Sequence, residues 1–176
     1  MAHSLSRALL PALETGLNAL TAILDKAEGY AAEKKIDPAA LLSTRLFPNM
    51  LPLVRQIQIA SDQAKNGASR LAGIDPPRHE DTETTIAQLK ERLARSLAVV
   101  KSVDQALIDA GDSRDVVFPM GPKRKGQMKG QDYLSLHVLP NFYFHITAAY
   151  AILRQAGLDI GKQDYLGKIP VTITET

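Results

Sequence analysis

The stretch LSRALLPALETGLNALTAILDKAEGYAAEK, residues 5–34, sets Leu5, Leu9, Leu13, Leu17, Leu20, Leu24 and Ala27 three or four positions apart. That spacing keeps apolar side chains on one face of an α-helix, so a first helix is predicted from Leu5 to about Lys34. Pro11 lacks an N–H and crowds the carbonyl four residues back, which predicts a kink there.

The same period returns three times. Asp37-Pro38 reads as an N-cap followed by proline at the first helical position, opening a short connector through Leu42. A second helix follows Phe47-Pro48-Asn49-Met50-Leu51-Pro52 and turns Leu53, Ile57, Ala60, Ala64 and Leu71 inward. Gly73 and Asp75-Pro76-Pro77 stop it. Thr85 and Gln88 fit a capping box, and Ile86, Leu89, Leu93, Val100 and Leu107 predict a third helix ending at Gly111. A fourth starts near Asp132, carries Leu134, Leu136, Phe142, Ile146, Ala149 and Leu153, bends at Pro140 and ends at Gly157. Between the last two, Val116-Val117-Phe118 and the Gly-, Lys- and Arg-rich stretch from Met120 to Gly130 predict an excursion or small hairpin. Tyr165 to Thr176 reads as an extended tail.

The expected architecture is all-α, a four-helix bundle with that excursion between helices 3 and 4. A single domain is expected over residues 1–167, with a C-terminal tail at 168–176. The 176 residues suffice for a core without disulfides or metal, and no Trp and few aromatics favour closely packed helices. The chain has no Cys, which excludes disulfides, thiolate ligands and cysteine nucleophiles. Its net charge of +2 comes from basic residues interspersed with acidic ones, so nucleic acid is not an expected partner. Lys123-Arg124-Lys125 and Lys129 read as a solvated turn, with no interleaved aromatics for base stacking. No stretch approaches the ~20 apolar residues of a membrane span, and no leader pattern opens the chain. The expected location is the cytoplasm.

The chemistry concentrates between Leu134 and Thr147. Asn141 and His145 are four apart, about 40° in azimuth and ~6 Å in height on a helix, so both can aim at one point in the interior. His137 is eight from His145, roughly 12 Å along the axis, too far for an adjacent metal-binding pair. One imidazole and one amide clamp a transition metal poorly. His145 therefore stands open to three readings: a hydrogen-bonded pocket histidine, a metal ligand, or an acid, base or ligand-binding group. Tyr143 and Tyr150 share a face and are expected to pack with their hydroxyls on polar partners. Asp62 and Lys65 are spaced for a surface ion pair. His3 and His79 receive no role.

Two blocks of sequence carry a resemblance over nearly the whole chain. One is Pro140-Asn141-Phe142-Tyr143-Phe144-His145 with Ala149-Tyr150-Ala151-Ile152-Leu153-Arg154, Gly157, Gly161-Lys162 and Asp164-Tyr165-Leu166-Gly167. The other is Phe47-Pro48-Asn49-Met50 with Gln56, Asp62-Gln63-Ala64-Lys65 and Arg70-Leu71-Ala72-Gly73. Together they resemble the uncharacterised bacterial family called domain of unknown function nineteen ninety-three. That family is similar to the DinB/YfiT-like superfamily of four-helix-bundle metalloenzymes.

The resemblance implies a divalent metal, zinc or nickel, held by three histidines, two of them four apart on the last helix and one on the second. Here those positions fall on Asn141, His145 and Gln56, so one imidazole stands where the superfamily has three, and only His145 remains as a metal ligand. The implied readings are a homodimeric domain binding a small ligand or a partner at Gln56, Asn141 and His145, with a degenerate metal site, or a metal-dependent hydrolase or thiol transferase. His137, Asp62 and Tyr143 are secondary candidates, with His137 or Asp62 brought in as further ligands on the enzymatic reading.

Overall fold

The computed structural model describes residues 4–172 and 174. It is mostly helical, with one two-stranded sheet. Helix α1, Leu5–Lys34, is capped by Ser4, whose hydroxyl accepts from the Arg7 N–H at 3.4 Å. It runs unbroken through Pro11, which faces solvent. The apolar row from Leu5 to Ala27 is buried as the period requires. Lys35 ends the helix in the left-handed conformation, φ 54°.

The connector forms as helix α2, Pro38–Ser43, with Asp37 accepting from the Ala39 N–H at 2.9 Å. Helix α3, Leu53–Leu71, buries one apolar face, and Gly73 turns the chain away at φ 75°. The Thr85–Gln88 capping box opens helix α4, Ile86–Ser102. The third helix stops there, well short of Gly111. Val103 is extended, and Asp104 accepts from the Ala106 N–H at 2.8 Å to start a separate helix, α5, Gln105–Asp109. The new cap resets the phase, so Ile108 is buried and Leu107 is exposed. Asp109 then takes the Ser6 N–H at 2.8 Å and the Ser4 and Ser6 hydroxyls, tying α5 to the start of α1.

The expected hairpin is present. Strands β1, Asp115–Pro119, and β2, Lys125–Lys129, pair antiparallel with Val117 opposite Gln127, and β1 buries Val116 and Phe118. The chain enters its last long helix through the short helix α6, Gly130–Asp132, and a π-helical turn, Tyr133–Val138, before helix α7, Leu139–Gln155. In the wider turn the Leu139 N–H reaches the Leu134 carbonyl, five residues back, so Pro140 falls at the start of α7 where its missing N–H costs least. The turn leaves Leu136 65% exposed, against the expectation that it points inward. Gly157, φ 97°, ends α7.

Tyr165 lies in a further helix, α8, Lys162–Leu166, and not in an extended tail. Its hydroxyl pairs with Thr147 Oγ1 at 2.9 Å, while α8 packs mainly on α1, where Lys26 reaches Asp164 at 2.7 Å. Residues 168–172 have neither helix nor strand, and 173, 175 and 176 lie outside the described residues, as does His3.

Helix α3 packs against α7 and α4, while α1 packs against α4, α7 and α8. The core is one cluster of Leu, Ile, Ala and Val with Phe118, Tyr133 and Phe142. Gly16 on α1 lies against the Phe142 ring, and Gly67 on α3 lies against Val138, so small residues bring both helices close to the last one. No helix among the described residues is long and apolar enough to cross a membrane.

Candidate functional site

The seam between α3 and α7 brings Gln56 and His145 together. His145 is five residues past Pro140 on α7, and Gln56 is on the first turn of α3. Both are buried, at 8% and 2% exposure. The Gln56 amide donates through Nε2 to the Leu51 carbonyl at 3.2 Å, and its Oε1 lies 2.7 Å from His145 Nδ1. Because the Leu51 oxygen can only accept, Gln56 must turn its NH2 toward it and its oxygen toward the imidazole. His145 Nδ1 is therefore the protonated nitrogen, and Nε2 keeps a lone pair. Burial pushes the His145 pKa down to about 4, so the ring stays neutral around pH 7. Phe144 meets the His145 ring edge-on, with centroids 5.2 Å apart.

Asn141 does not join them. Its amide donates to the His137 carbonyl at 2.6 Å, one turn back on its own chain. The four-residue spacing sets Asn141 on the right side of α7, but a nearer backbone acceptor takes its donor group. Gln56 thus fixes the tautomer and angle of His145, the role outer carbonyl groups play behind ligating histidines.

The residues here do not fit a three-ligand divalent centre. Gln56 Oε1 is engaged by the imidazole on its Nδ1 side, Asn141 offers only a neutral amide oxygen, a poor ligand for zinc or nickel, and no second imidazole or carboxylate is bonded to the pair. No group of three or more His, Asp or Glu able to hold a metal ion occurs among the described residues.

The secondary candidates lie in other settings. His137 is stacked on Tyr133, centroids 5.3 Å apart, and close to Phe118 at 4.3 Å, in an aromatic cluster at the hairpin end. Burial first, then the Arg70 charge, lowers its pKa. Arg70 donates to the Tyr133 hydroxyl at 3.1 Å. Tyr143 is exposed on α7, whereas Tyr150 is half-buried with its hydroxyl 3.4 Å from the Ile160 carbonyl. Asp62 does pair with Lys65 at 3.2 Å, but Lys65 is buried, not on the surface.

Asp62 also belongs to a cluster that the sequence reading missed. Arg92 on α4 is fully buried. Its Nη2 donates to Asp62 at 2.9 Å, its Nη1 donates to Glu83 at 3.1 Å and the Glu80 carbonyl at 3.0 Å, and Asp81 forms an ion pair with Nη1 at 3.0 Å. Its Nε donates to Ser61 Oγ at 3.3 Å. Gln58 adds a bond to Glu83 at 2.8 Å. The cluster pins the connection between α3 and α4 onto both helices. One signal existed in the sequence: Arg92 sits in phase with Leu89, Leu93, Ser96 and Val100, on the face predicted to be buried.

The surface has several hollows. An open, mostly apolar groove of about 390 Å³ runs along α7 between Leu46, Met50, Pro140, Tyr143, Phe144 and Ala148. Phe144 forms part of it and meets His145. A larger hollow of about 830 Å³ lies between α1 and α8, lined by Glu14, Asn18, Asp164 and Lys168 among others, and shares no lining residue with the groove.

This mostly helical chain is of the DinB kind. It is similar to the crystal structure of a DinB family member protein from Shewanella denitrificans, at 38% identity and a TM-score of 0.88 over 97% of this chain and 96% of that one. Residues 5–166 match the family model described as Domain of unknown function (DUF1993), and the chain belongs to that family. Among curated proteins none matches it.

Proposed function

We propose that α1, α3, α4 and α7 form a four-helix bundle of DinB type that binds a small uncharged ligand beside His145, at a site whose metal-binding capacity has degenerated. The ring of contacts α1–α4–α3–α7 supports the bundle. The observation that carries the binding role is the Gln56–His145 pair. It spends Nδ1 on a fixed hydrogen bond and leaves the neutral Nε2 as an acceptor for an O–H or N–H. In this reading the protein is bacterial and homodimeric, as the resemblance implies, and cytoplasmic.

Metal content separates this reading from a metal-dependent hydrolase or thiol transferase. Protein purified without added metal is expected to hold far less than one zinc, nickel or iron per chain. Near-stoichiometric metal that disappears in His145→Ala would overturn the proposal. Asn141→His, which restores an imidazole four residues before His145, is expected to raise zinc affinity by tenfold or more, about 1.4 kcal/mol. Ligand binding is tested by NMR with small apolar fragments bearing a hydroxyl or an N–H. Binding fragments are expected to shift the His145 and Phe144 resonances in the wild type and to lose that effect in His145→Phe. Fragments that bind while leaving both residues unmoved contradict the site.

A further inference from the structure

From Tyr133 to Leu153 the chain contains no Asp, Glu, Lys or Arg. Much of that stretch is core, but Leu136, Pro140, Tyr143, Phe144 and Thr147 face outward. A surface helix ordinarily carries charged side chains on its outer face. This one presents an apolar stripe instead, with Leu136 and Phe144 at 65% and 58% exposure. The loop before α3 widens the stripe. Its Leu46 and Met50 line the groove with Tyr143 and Phe144, and its Phe47 and Leu51 are exposed.

We infer that this face of α7, with the loop from Leu46 to Leu51, pairs with the same face of a second copy of the chain about a two-fold axis. Three observations select that occupant. At ~200 Å² for a fully exposed aromatic, the exposed parts of Phe47, Leu51, Leu136, Tyr143 and Phe144 amount to on the order of 500 Å². With Met50, Pro140 and the small residues between them, the face approaches the ~800 Å² each partner contributes to a standard interface. A two-fold interface sets a patch against itself, and a patch without formal charge meets no like charge across the axis. A membrane surface would instead call for a row of Lys and Arg beside the apolar stripe. The helix offers none, and Arg45 in the loop is turned onto the Met50 carbonyl.

This inference rests on the homodimer within the proposed function and not on the ligand role of His145. Sedimentation velocity on the full chain at micromolar concentration is expected to give twice the 19.1 kDa chain mass. Phe144→Glu and Leu136→Lys, each at an exposed side chain, are expected to weaken the dimer about tenfold or more with unchanged helical circular dichroism. Val117→Glu, at an exposed position on β1, is expected to leave it intact. A wild-type chain that stays monomeric, or a dimer that tolerates both α7 substitutions, overturns the inference. Either result leaves fragment binding at His145 standing, and a dimer with no fragment binding does the reverse.

Discussion

Arg92→Ala is expected to remove about 3–5 kcal/mol of folding stability at pH 7, measured by urea denaturation. The guanidinium is fully buried and serves three carboxylates, and its removal strands them unequally. Asp81 keeps Arg55 at 2.5 Å and Asp62 keeps Lys65 at 3.2 Å. Glu83, whose side chain is 5% exposed, is left with Gln58 and a distant Arg95 at 3.7 Å. Most of the cost is therefore the desolvated Glu83 charge, and Arg92→Met, which fills more of the space but carries no charge, is expected to recover only a minor part.

Acid should erase the difference. Burial works to raise the Asp81 and Glu83 pKa values. Bonds from Arg55 and Arg92 to Asp81, and from Gln58 and Arg92 to Glu83, outweigh it and hold both below their ordinary values. A depressed carboxylate contributes stability that is present above its unfolded pKa, about 4, and is lost as the pH falls through the folded value. The gap between wild type and Arg92→Ala is thus expected to narrow below about pH 4. A loss under about 1 kcal/mol at pH 7 would mean that the cluster does not fasten the α3–α4 connection.

Phe142→Ala is expected to cost about 3–5 kcal/mol by the same measurement. Phe142 is fully buried on α7, and its ring occupies the space that the absent side chain of Gly16 leaves on α1. A Cβ at residue 16 would lie 2.6 Å from Phe142 Cε1, so Gly16→Ala forces the ring to shift and is expected to cost about 1–3 kcal/mol alone. In the Phe142→Ala background the added methyl enters the vacated space, and its cost should fall toward zero. Additive losses in the double variant would show that the two residues do not share that contact.

Elements set by local chemistry were legible in the sequence. The apolar row of α1, the Asp37 cap, the Thr85–Gln88 box, the hairpin after Val116, and the Gly73 and Gly157 ends all depend on residues within a few positions of one another. The failures share a cause in phase or in distance. Leu107 was placed inward because the period was carried through Val103, where the Asp104 cap starts a new count. Leu136 was placed inward on an α-helical wheel, whereas the π turn uses a different one. Tyr165 lies in a five-residue helix too short for an apolar period, and that helix packs on α1, far away in the sequence. Arg92 was hidden because its partners are Asp62 on another helix and Asp81 and Glu83 in a loop. At the seam, the spacing placed Asn141 and His145 on one side of α7, but the choice of hydrogen-bond partner depended on which carbonyls lay nearest. His137 took Asn141, and Leu51 oriented Gln56.

On the proposed function His145 is a neutral imidazole fixed through Nδ1 by Gln56, with Nε2 available to a small ligand and not to a metal. Long-range proton–nitrogen NMR of His145 from pH 7 down to pH 5, with and without stoichiometric zinc, tests it most directly. A proton on Nδ1, no titration above pH 5 and nitrogen shifts that zinc leaves unchanged are expected. Titration near the ordinary histidine pKa of about 6.5, or a zinc-induced shift at Nε2, would contradict it.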